Sequence, residues 1–400
     1  MVIEHNASAP NGKDFAEFFA GIGLVQRGLQ SSGWRCAYAN DIEPKKHRMY
    51  IDEFGDAPEY HVGDVWQTDE VLRKYEGAPF LATASFPCVD LSLAGNWKGF
   101  SGERSSTYFG FLQLLRRLEK RRPKIVMLEN VVGFLTANQG QDFERAIIGL
   151  AELGYHIDAL VIDAKWFVPQ SRPRLFVFGF HESCKLPDTR SAPTQLALDG
   201  QWVDAARSES VLRPAKIREA IEKFDLPTGW VHLPLKTPTQ MDYSLTAVID
   251  IDDDQDWWDE KATTKHYEMM ETPSRARVDR LIDQRETLAG TAFRRTRRGK
   301  ARTEVRFDLA GCLRTPKGGS AKQIVVAVIG GQLKMRWMSS REYARLQGAD
   351  DFAIKVPEIQ ALYGFGDAVC VPAIEWIDQN ILTPIYEANQ QGVTDTELVA

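Results

Sequence analysis

Short apolar runs alternate with amphipathic runs along the first 181 residues, and this alternation limits the possible fold more strongly than any other feature of the chain. The apolar runs fit buried strands, and the amphipathic runs between them fit helices that cover a sheet. Strands joined through helices pair in parallel, so we predict an α/β fold with a mostly parallel sheet. The candidate strands are residues 15–20, 35–41, 80–85, 124–130, 157–163 and 174–180, and the clearest candidate helices are residues 106–120 and 142–154.

The last two candidate strands have no helical pattern between them, so we expect them to close the sheet as a hairpin. After residue 181 the regular alternation stops. Residues 182–330 contain many prolines, an acidic cluster at 250–260 and a basic segment at 293–302. This change of character predicts a second, smaller and irregular domain.

Helical patterns return at residues 339–348, which begin with a serine cap, and at residues 368–382. We therefore expect the chain to return to its first domain after the second one. The polar C-terminal end is expected to fray. The predicted division is a first domain of residues 1–181 plus 331–387, a second domain of residues 182–330, and a flexible tail of residues 388–400.

The composition excludes several classes of protein. With 44% hydrophobic and 26% charged residues, the 400-residue chain suits a soluble globular protein. Its five cysteines form no C-x-x-C pair and have no histidine at metal-ligand spacing, which argues against a zinc site or a disulfide framework. With no apolar N-terminal stretch and no membrane-length run, we expect a cytoplasmic or nucleoid location. The net charge of −6 hides a basic stretch at 275–322, with 14 Lys/Arg against 5 Asp/Glu.

A candidate strand runs into Gly21 and Gly23 and then into a helix. Glycines there let a ligand approach the backbone, and the helix start offers free N–H groups. Asp41 follows at the end of the next strand, where a carboxylate suits a ribose diol, and Asp64 is placed to accept from an adenine amino group. A dinucleotide site would have a third glycine where this chain has Gln26. The pattern favours a ligand without a pyrophosphate, such as S-adenosylmethionine, over a dinucleotide, and an ordinary tight turn stays the alternative.

Reactive side chains follow the later strands. Cys88 comes directly after Pro87, just past the candidate strand at 80–85, and Glu129 lies at the end of the next one, at 124–130. Arg172 and Arg174 precede the last strand. Because ligands bind beyond the carboxyl ends of parallel strands, a thiol, a carboxyl group and two guanidinium groups are expected at one edge. For a single cysteine, burial as a small apolar residue is the competing interpretation.

Six short motifs occur in a fixed order: F-x-G-x-G at 19–23, Pro-Cys at 87–88, Glu-Asn-Val at 129–131, Gln-x-Arg-x-Arg at 170–174, REYARLQG at 341–348 and GFGDAVCVP at 364–372. This set resembles the DNA (cytosine-5) methyltransferase family of bacteria and phages. The resemblance covers residues 14–181 and about 335–382. It implies the Rossmann-like sheet of S-adenosylmethionine-dependent methyltransferases and a target-recognition domain over residues 182–330. The implied reaction is methyl transfer to C5 of cytosine in a specific double-stranded DNA sequence.

The resemblance also implies roles for individual residues. Cys88 corresponds to the nucleophile and Glu129 to the residue that contacts cytosine N3 and its amino group, with Arg172 and Arg174 beside them. The implied S-adenosylmethionine site consists of Phe19, Gly21, Gly23, Asp41, Ile42, Asp64, Val65, Pro87 and Ala368. No metal ion is expected.

These residue types match the chemistry of the reaction. Cytosine C5 is too weak a nucleophile to attack a methyl sulfonium, but a thiolate that adds to C6 creates an enamine with electron density at C5. A carboxyl group at N3 eases that addition, and arginines favour the thiolate and stabilise developing charge. A base inside a duplex is out of reach, so the cytosine must flip out. We expect the loop at 91–106 to close over it.

Contacts to DNA are expected from that loop and from the basic segment of the second domain. The arginines can neutralise phosphates, although a solvated loop would explain such a run equally well. The turn and the Gly-Gly pair that follow resemble the end of a recognition domain. The candidate DNA-binding residues are Ser92, Arg294, Arg295, Arg297, Arg298, Thr315, Gly318 and Gly319.

One position departs from the family pattern, because Asp367 stands where the family usually has Asn. Aspartate removes the amide donors and adds a negative charge, so the details of the cofactor site are open. Three alternatives remain: an RNA cytosine-5 methyltransferase, a DNA-binding homologue without catalysis, and a nicotinamide-dependent dehydrogenase, which the missing third glycine disfavours. We expect a monomer, with a restriction endonuclease as a candidate partner.

Overall fold

The computed structural model describes residues 12–87, 107–186, 210–252, 255–297, 300–316 and 321–397. Five of the predicted site residues lie outside the described residues, and so does the loop at 91–106 that was expected to close over the substrate. These residues are Cys88, Ser92, Arg298, Gly318 and Gly319.

Up to residue 181, the described chain largely alternates strands with helices. Both kinds of element also occur in the part of the chain after residue 210. The strands are β1 Asp14–Phe18, β2 Arg35–Asp41, β3 Tyr60–Val62, β4 Leu81–Ala84, β5 Ile125–Val131, β6 Tyr155–Asp163, β7 Pro173–His181, β8 Leu288–Arg297, β9 Lys300–Arg306, β10 Ile324–Ile329 and β11 Gln332–Trp337. The α-helices are α1 Leu24–Gln30, α2 Pro44–Phe54, α3 Thr68–Lys74, α4 Thr107–Leu118, α5 Gln141–Ala151, α6 Ala215–Lys223, α7 Leu245–Val248, α8 Glu260–Glu268, α9 Thr272–Asp283, α10 Ser340–Leu346, α11 Glu358–Asp367, α12 Val371–Ile377 and α13 Thr383–Glu397.

The main sheet has seven strands in the order β3-β2-β1-β4-β5-β7-β6. The first five pair in parallel, and β7 runs antiparallel to both β5 and β6. The predicted parallel sheet and its closing hairpin are therefore confirmed. The carboxyl ends of β1, β2, β4 and β5 meet at one edge of the sheet, and this edge brings the predicted site residues together.

Strand β5 shows why the central strands read as continuous apolar runs. Ile125 and Met127 pack into the core on one face of the sheet, whereas Val126 and Leu128 pack into the core on the other face. Successive side chains of a strand point to opposite faces, and helices cover both faces of a parallel sheet. Both sets of side chains are therefore buried, and no polar alternation remains.

The second part of the chain is more regular than its sequence indicated. Strands β8 to β11 form an antiparallel sheet in the order β11-β10-β8-β9, and α9 packs on it through Val278 and Leu281. The predicted second domain therefore contains a regular antiparallel sheet. The basic segment at 293–302 lies in the β8–β9 hairpin, where arginines mask the apolar alternation. The sheet also extends to Trp337, beyond the predicted boundary at residue 330.

Residues 210–235 pack on the main sheet, although the sequence assigned them to the second domain. Helix α6 buries Ile217 and Ile221 in the core that also contains Val126 and Leu128. The chain then pairs with β6 through a bridge between Ile157 and Trp230. The physical boundary between the two parts thus lies later in the chain than the loss of alternation at residue 181.

The C-terminal helix α13 continues to Glu397, past the predicted start of a flexible tail at residue 388. Asn389 on this helix is 6% exposed, and its side-chain amide donates to the carbonyl of Lys185 at 2.7 Å. The start of the predicted tail is therefore anchored. None of the helices in the described part of the chain combines the length and apolar character that a bilayer crossing requires. The same residues contain no His/Cys/Asp/Glu group arranged to hold a metal ion.

Candidate active site

Two adjoining cavities open at the carboxyl edge of the main sheet. The arginine cavity, of about 450 Å³, is bordered by Glu129, Arg172 and Arg174. The aspartate cavity, of about 710 Å³, is bordered by Asp41 and Asp64. The residues that line both cavities, and therefore mark their junction, are Phe19, Lys46, Ser85, Pro87, Gly364 and Asp367.

The loop after β1 is a tight, fixed turn. Phe19 adopts a positive φ of 57°, which is rare for a residue with a side chain and is tolerated where the surroundings hold it. Gly23 has a φ of 82°, and a Cβ there would lie 2.5 Å from the ring of Phe54. Only glycine fits this close approach between the loop and α2. Gly23 therefore packs against α2 and borders neither cavity. The other glycine predicted to bind the cofactor, Gly21, lines the arginine cavity.

Asp41 organises the aspartate cavity. One carboxylate oxygen accepts from the backbone N–H of Gly21 at 2.9 Å, and the other accepts from the N–H of Glu43 at 2.9 Å. Ile42 beside it is 67% exposed, an unusual state for a large apolar side chain. Asp64, Val65 and Pro87 line the same cavity, whereas Ala368 lines the arginine cavity. The predicted cofactor residues other than Gly23 thus surround the two cavities.

Glu129 and Arg174 meet in the arginine cavity. Strand β5 places Glu129 at its end, where the side chain is largely buried, and Arg174 Nε lies 3.0 Å from Glu129 Oε1. The neighbouring Asn130 donates from Nδ2 to the carbonyl of Phe86 at 3.0 Å. Asn130 thereby holds the segment after β4 at a residue two positions before Cys88, which itself lies outside the described residues.

Arg172 connects two separate segments of the chain through hydrogen bonds. Its guanidinium group is 2% exposed and donates to the carbonyls of Leu313, Gly366 and Ala368. Burial, with the charge of Arg174 nearby, lowers the pKa of Arg172 to about 10. Gly366 permits this arrangement, because a Cβ there would lie 2.6 Å from the backbone of Thr315.

Cys312 is a site residue that sequence reasoning missed. Its Sγ lies 3.5 Å from Nη1 of Arg172 and 3.8 Å from both Nη atoms of Arg174. Burial alone would raise the pKa of this thiol, but the two guanidinium groups outweigh burial, and its pKa lies below the ordinary value. No spacing or motif around residue 312 indicated this contact.

Glu17 is a second missed residue, on the main-sheet side of the arginine cavity. It is 2% exposed, and its Oε2 atom has no hydrogen-bond partner. Burial is the main reason that the pKa of Glu17 rises to about 8. This carboxyl group is therefore largely protonated at neutral pH.

Asp367, which stands where the family usually has Asn, forms an ion pair with Lys46. Asp367 ends α11, and its Oδ2 lies 3.3 Å from Nζ of Lys46 on α2. Both side chains line both cavities. No sequence pattern singles out Lys46, because its partner is 321 positions away. This ion pair spans the junction between the cavities.

The candidate DNA-binding residues separate into two places. Arg294, Arg295 and Arg297 lie on strand β8, and the guanidinium carbon of Arg294 sits 5.7 Å from the ring centre of Trp337. Thr315 lines the arginine cavity instead. The basic run is thus part of a β-hairpin, and the segment that follows β9 reaches the cavity.

Comparison with known proteins finds bacterial type II methyltransferases among the relatives of this chain. The chain is 28% identical over 383 residues to the type II methyltransferase M.HpaII of Haemophilus parainfluenzae, covering 94% of this chain and 91% of that protein. It is 30% identical over 187 residues to the type II methyltransferase M.HhaI of Haemophilus parahaemolyticus, covering 46% of this chain and 54% of that one.

Solved structures support the fold. The Dnmt2 methyltransferase of S. pombe superposes with a TM-score of 0.56 at 14% identity, covering 93% of this chain and 99% of that one. The DNMT2 of Spodoptera frugiperda gives a TM-score of 0.57 at 15% identity, with the same coverage. The model of the C-5 cytosine-specific DNA methylase family matches residues 13–383. The chain therefore belongs to the C-5 cytosine-specific DNA methylase family and is a DNA cytosine-5 methyltransferase.

Proposed function

We propose that Cys88 forms a transient bond to C6 of a cytosine flipped out of a specific double-stranded DNA sequence, and that C5 then takes a methyl group from S-adenosylmethionine. The contact between Glu129 and Arg174 carries this proposal. It lies beside the strand end that Asn130 holds, two residues before Cys88. A carboxyl group and a guanidinium group therefore meet in a cavity that Pro87, the residue before Cys88, also lines.

The aspartate cavity suits the adenosine part of the methyl donor. Asp41 is held by two backbone N–H groups and keeps lone pairs for a ribose diol. Asp64 can accept from an adenine amino group. The exposed side chain of Ile42 offers an apolar surface to the purine ring, which explains why it is left uncovered. When bound, S-adenosylmethionine supplies an electrophilic methyl group on a sulfonium.

The protein's own residues prepare the cytosine. The Cys88 thiolate adds to C6, and Glu129 hydrogen bonds N3 and the amino group, which makes C6 a better electrophile. The S–C6 bond gives C5 the electron density to take the methyl group. A base then removes the C5 proton, the S–C6 bond breaks, and the thiolate is restored.

The arginines supply positive charge where it is needed. Arg174 orients Glu129 through the 3.0 Å contact and faces the same cavity. Arg172 holds the backbone of residues 366 and 368, which borders the arginine cavity. Both guanidinium groups favour a thiolate in this cavity, and the same effect is seen on Cys312.

The second sheet is the proposed DNA reader. Its β8–β9 hairpin carries the basic run, which can neutralise phosphates and fix the register on the duplex. We further propose that one chain suffices for the reaction, since residues of one chain line both cavities, and that the enzyme works where the DNA is, in the cytoplasm or nucleoid. The type II names of the relatives support a restriction endonuclease as a companion.

Trapping with a duplex that contains 5-fluorocytosine tests the reaction. Fluorine replaces the proton that must leave C5, so the adduct persists after methyl transfer. The wild type should form a covalent complex with duplex and donor that maps to residue 88, and Cys88→Ala should form none. Cys312→Ala is the matched control, because it removes a thiol that contacts Arg172 and Arg174, and it should still be trapped. A wild type without adduct, or an adduct that survives in Cys88→Ala, overturns the proposal.

The identity of the substrate needs a separate measurement. Bisulfite sequencing of DNA from cells that express the protein should show one methylated sequence, and purified protein should methylate duplex DNA in preference to tRNA. Preference for tRNA would favour the RNA methyltransferase alternative.

A further inference from the structure

The ion pair of Lys46 and Asp367 spans the place where the two cavities meet. Its members come from α2 and α11, which approach each other across the cleft, and the charged atoms are 3.3 Å apart. The methyl donor would have its adenosine in the aspartate cavity and its reactive methyl group toward the arginine cavity. The remaining part of that molecule, an α-amino acid, then falls at the junction.

Rigid elements hold both side chains in place. Arg172 and Gln347 donate to backbone carbonyls on either side of Asp367, at Gly366 and Ala368. The stem of Lys46 runs past Gly21, since a Cβ on that glycine would lie 3.9 Å from Lys46 Cδ. A charged pair fixed in this way is preorganised for a ligand.

Neither charge is used up by the pairing. An ammonium group has three donors and a carboxylate has about four acceptor sites, so one mutual contact leaves most of each group available. Asp367 is 52% exposed and Lys46 is 25% exposed on their side chains. An adjacent cation and anion of this kind match a zwitterion, which carries one carboxylate and one ammonium group. Asparagine at position 367 could hydrogen bond the same ligand but would supply no charge.

We propose that Lys46 and Asp367 together recognise the amino acid end of the methyl donor, with Lys46 binding its carboxylate and Asp367 its ammonium group. This inference rests on the proposed function, because it assumes that S-adenosylmethionine occupies the two cavities. It gives the aspartate of the last motif a role of its own. The positive charge of Lys46 offsets the repulsion that Asp367 would otherwise exert on the carboxylate.

Calorimetric titration of the DNA-free protein with three ligands distinguishes binding of the donor's carboxylate from binding of its ammonium group. S-adenosylmethionine has both charged groups, its decarboxylated form keeps the ammonium group alone, and 5′-methylthioadenosine has neither. Lys46→Met should lower the affinity for S-adenosylmethionine by about tenfold, which is the scale of one charge-assisted hydrogen bond. The affinities for the other two ligands should not change. Asp367→Asn should lower the affinity for S-adenosylmethionine and for its decarboxylated form, both of which carry the ammonium group. The affinity for 5′-methylthioadenosine should not change.

Lys45→Met is the matched control, because it removes the same charge from the preceding residue of α2, which lines the aspartate cavity but not the junction. It should not distinguish ligands with a carboxylate from those without one. Equal losses for all three ligands in Lys46→Met and Asp367→Asn would mean that the pair merely joins α2 to α11, and unchanged affinity for S-adenosylmethionine would also refute the inference. A wild type that binds none of the three ligands would instead contradict the proposed function.

Discussion

The buried ion pair between Asp158 on β6 and Arg213 joins residues 210–235 to the main sheet. The side chains are 1% and 2% exposed, and the guanidinium group donates to both carboxylate oxygens, at 3.1 and 2.5 Å. The backbone N–H of Leu233 also donates to Asp158, at 3.0 Å. The carboxylate thus serves two parts of the same segment, and its loss should loosen the whole segment.

Asp158→Asn keeps the size of the side chain but leaves Arg213 with an uncompensated buried charge. Removing one partner of such a pair costs about 3–5 kcal/mol, a large part of the roughly 5–15 kcal/mol that stabilises a domain. Urea unfolding should show this loss in the free energy of unfolding. The fluorescence of Trp230, which lies in the segment and pairs with β6, should report it.

Glu152→Gln provides the control, because its pair with Arg116 is about half exposed on both sides. Such surface pairs contribute at most about 1 kcal/mol. If Asp158→Asn costs no more than Glu152→Gln, the buried pair does not join the segment to the sheet, and the boundary derived from the structure is wrong.

Three further outcomes are expected. Alkylation of Cys312 by iodoacetamide, followed by peptide mass spectrometry, should reach half its maximal rate at a lower pH than an ordinary thiol, since its pKa is lowered; Cys370, whose pKa burial raises to about 12, should stay unreactive at neutral pH. Gly23→Ala should lower both the melting temperature and the affinity for S-adenosylmethionine, because the new Cβ meets Phe54 and the φ is positive; unchanged values would show that the loop adapts. Arg297→Ala should reduce the slope of log affinity for DNA against log salt by about one, and an unchanged slope would exclude a phosphate contact.

The main sheet was predictable because its signal is local. Strand β2 begins and ends where the apolar run predicted, at Arg35 and Asp41, and β6 and β7 form the expected hairpin. Burial on both faces of the sheet gives these strands runs of apolar residues within a few positions. The capped helix α10 was predictable for the same reason, since Ser339 and Glu342 form a capping box within a few positions of each other.

The second sheet was not predictable from the same pattern. Strand β8 carries several arginines, so its sequence shows no apolar run of the kind that marks the main-sheet strands. Residues 210–235 were also misplaced, because their attachment to β6 depends on Arg213 and Asp158, which are 55 positions apart. Periodicity reports burial within a segment and contains no information on which segment covers it.

The sequence by itself determined the elements of the main sheet. It also determined that a thiol and a carboxyl group come at the ends of its parallel strands and that two arginines come at the start of its last strand. Chain direction alone brings such residues to one edge. The tertiary structure alone decided that Cys312 joins Arg172 and Arg174 across at least 138 positions, and that Lys46 meets Asp367. These contacts arise where separate segments pack together, and their energies depend on distances and burial that exist only in the folded chain.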